Sequence, residues 1–498
     1  MASNKNQLHF VLIPLLCPGH LLPMVDIARL LAQHGVKITL IVTPLNAILF
    51  DKIINRDIES GLSIQLLRIP FPCVEAGLPE GYEDLSALPS RSLAINFFDA
   101  LRMMQQPMEK FVEETHPRPS CIISDRHLPW TIDIASKFGI PRLAFDGTSC
   151  FSFMCSHNIS ISKVHENVTS DSDYFVVPNL PDKIELTKAQ LPSFLNRGSI
   201  NVKGFYEEIK AADMASYGLV INSFEELESR YVEECKKVKG DQVWCIGPVS
   251  LCNKENIDKS QRCNKTSSNI DDQNQCLKWL DSWPSNSVIY ACLGTLSCLT
   301  PLQLMELGLG LEASNRPFIW VIREDQKSSE LEKFIHEEEG FEERTKNRGL
   351  VIQDWAPQVL ILSHPAIGGF LTHCGWNSTL EGVCAGVPMI TWPLLAEQFY
   401  NEQIIVKVLR IGESVGANVA SKWGEEDKYG VKVKSETIRK AIDLVMDEEE
   451  GEEKRKRTRE LGDLANKALE VGGSSYCNIR LLIKDIMQQV MDNKTIMA

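Results

Sequence analysis

Short runs of apolar residues alternate along the chain with stretches in which apolar side chains recur every three or four positions. The first pattern is typical of buried strands and the second of helices. In the first half, Leu22, Val25, Leu30 and Leu31 mark the apolar face of a helix that we expect to end at Gly35. The strands predicted in this half cover residues 8–16, 36–43, 63–69, 120–124 and 142–145.

A polar stretch, residues 253–275, interrupts this alternation and is predicted to be a linker. The alternation then restarts, with helices expected at residues 301–313 and 375–385. Helical periodicity also covers roughly the last 60 residues. The strands predicted in this half cover residues 287–293, 317–322, 349–353, 367–372 and 388–392.

Nearly unbroken apolar strands separated by helices indicate parallel sheets covered on both faces. The predicted fold class is therefore α/β, with two doubly wound, Rossmann-like domains. We expect a first domain over residues 1–250, a polar linker over 251–275, a second domain over 276–475 and a C-terminal helix, residues 476–498, that packs back on the first domain. Such sheets bind ligands beyond the carboxyl ends of their strands, so a cleft between facing domains is the expected site.

Composition excludes several classes of function. The 498 residues carry a formal net charge of −14, which argues against binding to nucleic acid or to an anionic membrane. No run of 18 apolar residues occurs, so stable membrane insertion is not expected. The 15 cysteines form no CxxC pair, and the apolar residues 8–16 lack the flanks of a signal peptide. We therefore predict a cytoplasmic protein.

The strongest chemical pattern lies in residues 355–398, which we call the donor segment. Within it a predicted strand runs into residues 372–378, and a helix follows. The first turn of a helix has unpaired backbone N–H groups at the positive end of its dipole, which suits a diphosphate. Gly375 would let the backbone approach this ligand closely. Further hydrogen bonds would come from His373, Asn377 and Ser378.

Other side chains of the donor segment suit the rest of a nucleotide sugar. Glu381 lies one helical turn after Ser378 and could accept hydrogen bonds from ribose hydroxyls. Trp355 offers a flat apolar face for a base. Glu397 and Gln398 begin another helix, and an acid beside an amide suits sugar hydroxyls.

The donor segment resembles, from its first Trp to its last Gln, the signature segment of the plant secondary-product UDP-glycosyltransferases, family 1. This resemblance implies that the segment binds a UDP-sugar. The roles that it implies are uracil stacking for Trp355, nucleoside contacts for Ala356 and Gln358, diphosphate binding for His373, Asn377 and Ser378, ribose binding for Glu381, and sugar placement for Trp376, Glu397 and Gln398.

Two positions bear on the sugar, and a third on the phosphates. Trp376 and Gln398 are the residues found in glucose-type members of the family, whereas glucuronate users tend to carry Arg at the first position and galactose users His at the second. In Leu293-Gly294-Thr295 the family usually has Ser at the last position. Thr295 keeps the hydroxyl expected near the phosphates and adds a methyl group.

The first half supplies a candidate general base. His20 follows the first predicted strand, and Asp125 ends another, so both would lie at the carboxyl ends of strands. The ordinary pKa of histidine suits a base near neutral pH, and an alcohol is a poor nucleophile until its proton is removed. A carboxylate paired with His20 would fix its tautomer and stabilise the imidazolium. Both residues match the family's base and its supporting acid. We expect His127, a rival base, to shape the acceptor pocket or to have no catalytic role.

The resemblance covers nearly the whole chain and is closest to the subgroup that glucosylates triterpenoids, steroids and flavonoids. One departure is Asp146, on the acceptor side, where relatives often have His. Outside the donor segment the shared motifs are Gly77-Leu78-Pro79-Glu80-Gly81, Pro119-Ser120-Cys121, Asn222-Ser223-Phe224, Gly247-Pro248-Val249 and Pro317-Phe318-Ile319-Trp320.

The resemblance implies a GT-B fold in which residues 1–250 bind the acceptor and supply the base, while residues 276–475 bind the UDP-sugar. The implied reaction is the inverting transfer of glucose from UDP-glucose to a hydroxyl of a small, apolar acceptor, giving a β-glucoside. UDP-glucose is a co-substrate, so no cofactor and no metal are expected, and we expect a monomer. Open alternatives are another donor (UDP-galactose, UDP-xylose or UDP-glucuronate) and a non-catalytic nucleotide-sugar-binding protein.

Weaker motifs point to other chemistry without the context that they need. Gly308, Gly310 and Ala313 fit a dinucleotide-binding G-x-G-x-x-A pattern, but they lie late in a predicted helix instead of following a strand. A nicotinamide-dependent oxidoreductase is therefore disfavoured. Asp171 and Asp173 resemble a metal-binding DxD motif but lie in a polar loop.

Overall fold

A computed structural model describes residues 7–195, 200–262, 270–296, 299–323, 326–337, 340–421, 430–447 and 449–497. The strands are β1 (His9–Ile13), β2 (Lys37–Val42), β3 (Ile64–Arg68), β4 (Cys121–Asp125), β5 (Arg142–Asp146), β6 (Tyr174–Val176), β7 (Glu185–Thr187), β8 (Gly218–Ile221), β9 (Val243–Cys245), β10 (Val288–Cys292), β11 (Phe318–Ile322), β12 (Gly349–Gln353), β13 (Ile367–Thr372), β14 (Met389–Thr391) and β15 (Gly412–Ser414).

The α-helices are α1 (Pro18–Gln33), α2 (Pro44–Ile48), α3 (Asp51–Glu59), α4 (Ala94–Met103), α5 (Gln105–Glu114), α6 (Thr131–Phe138), α7 (Cys150–Ser162), α8 (Ile200–Ala215), α9 (Glu225–Lys239), α10 (Asn256–Gln261), α11 (Ile270–Asp281), α12 (Pro301–Ala313), α13 (Ser329–His336), α14 (Phe341–Thr345), α15 (Gln358–Leu362), α16 (Trp376–Cys384), α17 (Gln398–Gln403), α18 (Ser435–Met446), α19 (Glu450–Leu469) and α20 (Ser474–Met497). Short 3-10 turns and one π-helical turn, Ile404–Val408, complete the helical elements of the described residues.

The chain divides into two compact units. Unit 1 consists of Met1–Cys150, Gly198–Lys254 and Lys467–Ala498. Unit 2 consists of Phe151–Arg197 and Glu255–Asn466. Each unit contains its own parallel sheet, as the alternation of apolar runs and helices predicts.

Unit 1 is built on seven parallel strands in the order β3-β2-β1-β4-β5-β8-β9. Strand β1 is fully buried, and α1 follows it closely. Phe10 of β1 pairs with Cys121 of β4, so these neighbouring strands end at the same edge of the sheet. In α20, Ile479, Leu482 and Ile486 belong to the same buried core as β1, β2 and α1, so the last helix packs within unit 1.

Unit 2 is built on six parallel strands in the order β12-β11-β10-β13-β14-β15. Side chains of α12 and α18 form a core with the apolar residues of β10, β11 and β13. The central strand β13 is fully buried and ends at Thr372, just before α16. This places the start of α16 at the carboxyl edge of the sheet, where ligands of such sheets bind.

The units differ from the predicted division of the chain, and residues 467–475, predicted to end the second domain, belong to unit 1. Phe151–Arg197 groups with unit 2, although the pattern of strands assigned it to a first domain ending at residue 250. The predicted linker contains α10 and the beginning of α11, and residues 263–269 lie outside the described residues. Its apolar positions, such as Ile257 and Ile270, are too sparse to show a helical period.

Among the described residues, no helix combines the length and the apolar composition that crossing a membrane requires. Thirteen cysteines are described, all of them are free, and Cys477 is the exposed one among them.

Candidate functional site

The candidate base lies at the carboxyl edge of the unit 1 sheet. Helix α1 begins at Pro18, where the fixed φ of proline suits the first helical position, and His20 lies in its first turn. Asp125 is the last residue of β4, the neighbour of β1. The fold therefore brings together two side chains that are 105 positions apart in the sequence.

His20 and Asp125 form a close hydrogen-bonded dyad. His20 Nδ1 lies 2.6 Å from Asp125 Oδ2. The Asp125 side chain is fully buried, whereas 24% of the His20 side chain is exposed. With Nδ1–H donated to the carboxylate, the second ring nitrogen, Nε2, is the atom that has a lone pair to accept a proton.

Electrostatics keep Asp125 ionised although it is buried. Burial by itself raises the pKa of this carboxyl group. The charge of His20 and hydrogen bonds from His127 and His20 outweigh that effect and hold the pKa well below its ordinary value. A permanently negative partner stabilises the imidazolium that forms when His20 takes up a proton.

His127 shares the same carboxylate, a contact that the sequence did not predict. Its backbone N–H and its ring Nδ1 both lie 2.9 Å from Asp125 Oδ1. The rings of His127 and His20 meet edge to face with centroids 5.3 Å apart. Asp125 therefore uses one oxygen for each histidine.

Asp146, where relatives often have His, belongs to a largely buried cluster of ion pairs next to the dyad in the sequence. The guanidinium of Arg126 donates to Asp146 and, at 2.7 Å, to Asp213 of α8. The other oxygen of Asp146 accepts from the backbone N–H and the hydroxyl of Thr148. Asp146 thus fixes the turn that contains Gly147. A Cβ atom added at Gly147 would lie 3.5 Å from Nδ1 of His20, so this turn packs against the ring. Arg126 was not identified from the sequence because its carboxylate partners are distant along the chain.

In unit 2 the residues after β13 are arranged around His373. A Cβ atom on either Gly294 or Gly375 would lie only 2.3 Å from the imidazole of His373. Glycine at these positions therefore makes room for the ring, a role of Gly375 that adds to the close approach of the ligand expected from the sequence. The preceding Cys374 adopts a left-handed φ of 65° and is fully buried, as packing would require.

His373 is neutral at physiological pH. Burial and the nearby charge of Arg323 lower its pKa to about 4. Its Nδ1 atom is buried and has no hydrogen-bond partner among the described residues. A buried polar atom without a partner is costly, so this nitrogen suits a ligand that brings its own polar groups.

Gln358 ties several of the predicted nucleoside and ribose residues together. Its side-chain amide donates to Ser378 Oγ at 3.0 Å and to Glu381 Oε2 at 2.7 Å, and its oxygen faces the Tyr290 hydroxyl at 3.4 Å. Glu381 also accepts a hydrogen bond from Arg262. The sequence predicted Glu381 as a ribose ligand but did not predict this cation, which lies 119 positions away.

The remaining predicted donor residues lie on neighbouring loops and helix starts of unit 2. Trp355 follows β12 and is partly buried, Ala356 is buried beside it, and the partly buried Thr295 follows β10. Trp376 and Asn377 begin α16. Glu397 and Gln398 begin α17, and the Gln398 oxygen accepts from the backbone N–H groups of Leu394 and Leu395.

Asn401 is a further residue of this region that sequence reasoning missed. Its amide nitrogen donates to the backbone oxygen of Cys374 at 2.8 Å, and its oxygen accepts from Ser152 at 2.8 Å. The contact with Cys374 ties α17 to the loop before α16. Asn401 is fully buried, so its role is to hold these two parts of the donor segment together.

Known proteins resemble this chain along nearly its whole length. The family profile described as "UDP-glucoronosyl and UDP-glucosyl transferase" matches residues 262–449. UDP-glycosyltransferase 73C3 of Arabidopsis thaliana is 52% identical over 495 residues, which cover 98% of this chain and 99% of that protein.

Solved structures extend the likeness to the fold. UGT73P12 of Glycyrrhiza uralensis, complexed with glycyrrhetinic acid 3-O-monoglucuronide, aligns with a TM-score of 0.90 and 37% identity over 99% of this chain and 98% of that one. UGT89C1 of Arabidopsis thaliana, complexed with quercetin, aligns with a TM-score of 0.71 and 30% identity over 97% of this chain and all of that one. These relatives have the GT-B fold, and the two Rossmann-like units described above are consistent with it.

Full-length identity, the family profile and the shared fold thus agree, and the chain belongs to the plant family 1 UDP-glycosyltransferases, enzymes that transfer a sugar from a UDP-sugar.

Proposed function

We propose that the protein is an inverting, metal-independent glucosyltransferase that moves glucose from UDP-glucose to a hydroxyl of a small, apolar secondary metabolite. A triterpenoid is the favoured acceptor, with a flavonoid or a steroid next. The observation that carries the proposal is the dyad of His20 with the buried, ionised Asp125, 2.6 Å apart.

His20 acts as the general base in this proposal. The acceptor hydroxyl gives its proton to Nε2 of His20 while its oxygen attacks the anomeric carbon of glucose. The bond from that carbon to the UDP oxygen breaks on the opposite face, so a single displacement converts the α-linked donor into a β-glucoside. Asp125 stabilises the imidazolium that results.

The start of α16 receives the diphosphate. The positive end of its helix dipole favours the charge that develops on departing UDP. His373 is neutral, with a pKa of about 4, so it contributes a hydrogen bond but no charge. These groups provide the stabilisation that a divalent cation supplies in other transferases, which supports a reaction without a metal.

The choice of glucose rests on two residues of the donor segment, and the choice of acceptor class rests on two relatives. Trp376 and Gln398 are the glucose-type residues, and they begin α16 and α17. The relative complexed with glycyrrhetinic acid 3-O-monoglucuronide carries a triterpenoid ligand and is 37% identical, whereas the one with the flavonoid quercetin is 30% identical. The order of acceptor classes follows from that difference.

A matrix of donors and acceptors tests the proposal. Purified protein is incubated in EDTA with UDP-glucose, UDP-galactose, UDP-xylose or UDP-glucuronate and with a triterpenoid, a steroid or a flavonoid, and the products are identified by mass spectrometry. We expect glucosides from UDP-glucose, most rapidly on the triterpenoid. A strict divalent-metal requirement would overturn the metal-free mechanism. Donor binding without transfer to any acceptor would favour a non-catalytic binding protein.

A further inference from the structure

Asp125 joins two histidines on one buried carboxylate, and the proposed reaction uses only one of them. The ligand atoms of His20, Asp125 and His127 all lie within 4.8 Å of one another. They form the one such group of three metal-ligating side chains found among the described residues. His127 therefore needs an account of its own.

We propose that His20, Asp125 and His127 form an inhibitory binding site for a divalent transition metal, with Zn²⁺ as its best-fitting occupant. The inhibitory consequence rests on the proposed role of His20 as base, while the binding itself does not. Two imidazole nitrogens and one carboxylate oxygen are the ligand set that Zn²⁺ takes when a fourth position stays open to water. Magnesium and calcium prefer oxygen ligands, so they should not compete.

The geometry allows such a site after a small movement. Tetrahedral zinc with bonds of about 2.0–2.1 Å needs ligand atoms about 3.3 Å apart. The side chains of His20 and His127 are 24% and 37% exposed, so solvent reaches both residues, whereas the Asp125 side chain is fully buried. The partial exposure of both rings also gives the ion a path from solvent.

Binding at this site would remove the base. Coordination at Nδ1 of His20 needs the lone pair on that atom, so the single proton of the neutral ring must lie on Nε2. The ring then has no lone pair to receive the acceptor's proton. No net proton is lost, because the proton only moves from one ring nitrogen to the other.

His127→Gln is the discriminating variant. The backbone N–H of residue 127 still donates to Asp125 Oδ1, so the carboxylate keeps a partner, but one metal ligand is lost. Transfer from UDP-glucose is measured over a series of Zn²⁺ concentrations, with each rate compared with the same protein in EDTA. We expect the inhibition constant to rise about tenfold or more, as loss of a metal-site group typically causes. Mg²⁺ at the same concentrations should not inhibit.

Two matched control variants test whether zinc inhibits through an exposed histidine or an exposed thiol elsewhere in the protein. His336→Gln removes an exposed histidine that is likewise paired with a carboxylate, Glu342. Cys477→Ser removes the exposed thiol. Both variants should be inhibited like the wild type. If Cys477→Ser escapes inhibition, zinc acts through the thiol and the proposal is wrong.

Direct binding separates this inference from the proposed function. Calorimetric titration with Zn²⁺, and the visible absorption of tetrahedral Co²⁺, report the site without any turnover. We expect one strong site that His20→Gln and His127→Gln each weaken. Binding without inhibition would contradict His20 as the base and leave the site in place. Equal zinc affinity in the wild type and His127→Gln would overturn the site and leave the base in place.

Discussion

The surroundings of Asp125 in unit 1 and those of His373 and Glu402 in unit 2 act in opposite ways on buried ionisable groups. In unit 1, Asp125 is fully buried yet stays ionised because two histidines face it. In unit 2, burial lowers the pKa of His373 to about 4 and raises that of Glu402 to about 7, a shift toward the neutral form in both cases. The difference teaches that burial shifts a group toward its neutral form unless partners that stabilise its charge outweigh that effect, as the two histidines do for Asp125.

The largest effect is expected from His20→Ala. Without a base, the rate of transfer should fall by about 10²- to 10⁴-fold, while UDP binding stays nearly intact because the donor residues lie in unit 2. Steady-state transfer rates and calorimetric titration with UDP measure the two properties. Near-normal glucoside formation would refute the assignment of the base.

Asp125→Asn should come next. The amide is neutral, so it can no longer stabilise the imidazolium or specify the tautomer of His20, and we expect a loss of up to about 10⁴-fold in kcat. Its control is His127→Gln, which removes a hydrogen bond to the same carboxylate and should cost less than about tenfold, in line with one lost hydrogen bond. Similar losses in both variants would mean that the carboxylate acts through general packing.

Glu381→Gln tests the donor side of the comparison. A hydrogen bond to a charged group contributes about 1.5–3 kcal/mol, so KM for UDP-glucose should rise roughly 10- to 100-fold with a smaller change in kcat. Arg262→Ala is the matched control, because it removes only the cation that holds Glu381 and should not raise KM. If both variants raise KM equally, the ion pair and not the ribose contact explains the effect.

The last prediction concerns the stability of the fold at Glu402 and not the activity. An unfolded glutamate loses its proton near 4.5, whereas the folded Glu402 keeps it until about pH 7. Between these values the folded state binds more protons, so its stability falls as pH rises. Glu402→Gln, which stays neutral, should gain up to about 3 kcal/mol over the wild type at pH 8 and little at pH 5. Urea unfolding at both pH values measures this, and a gain that does not depend on pH would contradict the raised pKa.

Much of each sheet could be predicted from the sequence because its strands are buried runs of apolar residues. Strands β12 and β13 lie where the pattern placed them. Strands β8, β9 and β15, of four, three and three residues, were not predicted, although β14, also of three residues, was. Such short strands exist because neighbouring strands pair with them, which no local pattern records.

In the candidate site, too, some contacts could be predicted from the sequence and others could not. His20 and Asp125 could be placed near each other because both follow buried parallel strands, whose carboxyl ends share an edge. The carboxylate shared with His127 and the Arg262–Glu381 pair could not be predicted, because each depends on side-chain directions and, for Arg262, on a partner 119 positions away. The space that Gly375 leaves for the ring of His373 could not be predicted either, because it depends on the direction of that side chain.

The most direct test of His20 as the base compares its loss across acceptors of different acidity. Transfer by the wild type and His20→Ala is measured with an aliphatic alcohol and with a nitrophenol whose pKa is about 7, which ionises without help. The account predicts that His20→Ala loses at least about 100-fold more activity on the alcohol than on the phenol. An equal loss on both acceptors would contradict proton removal by His20.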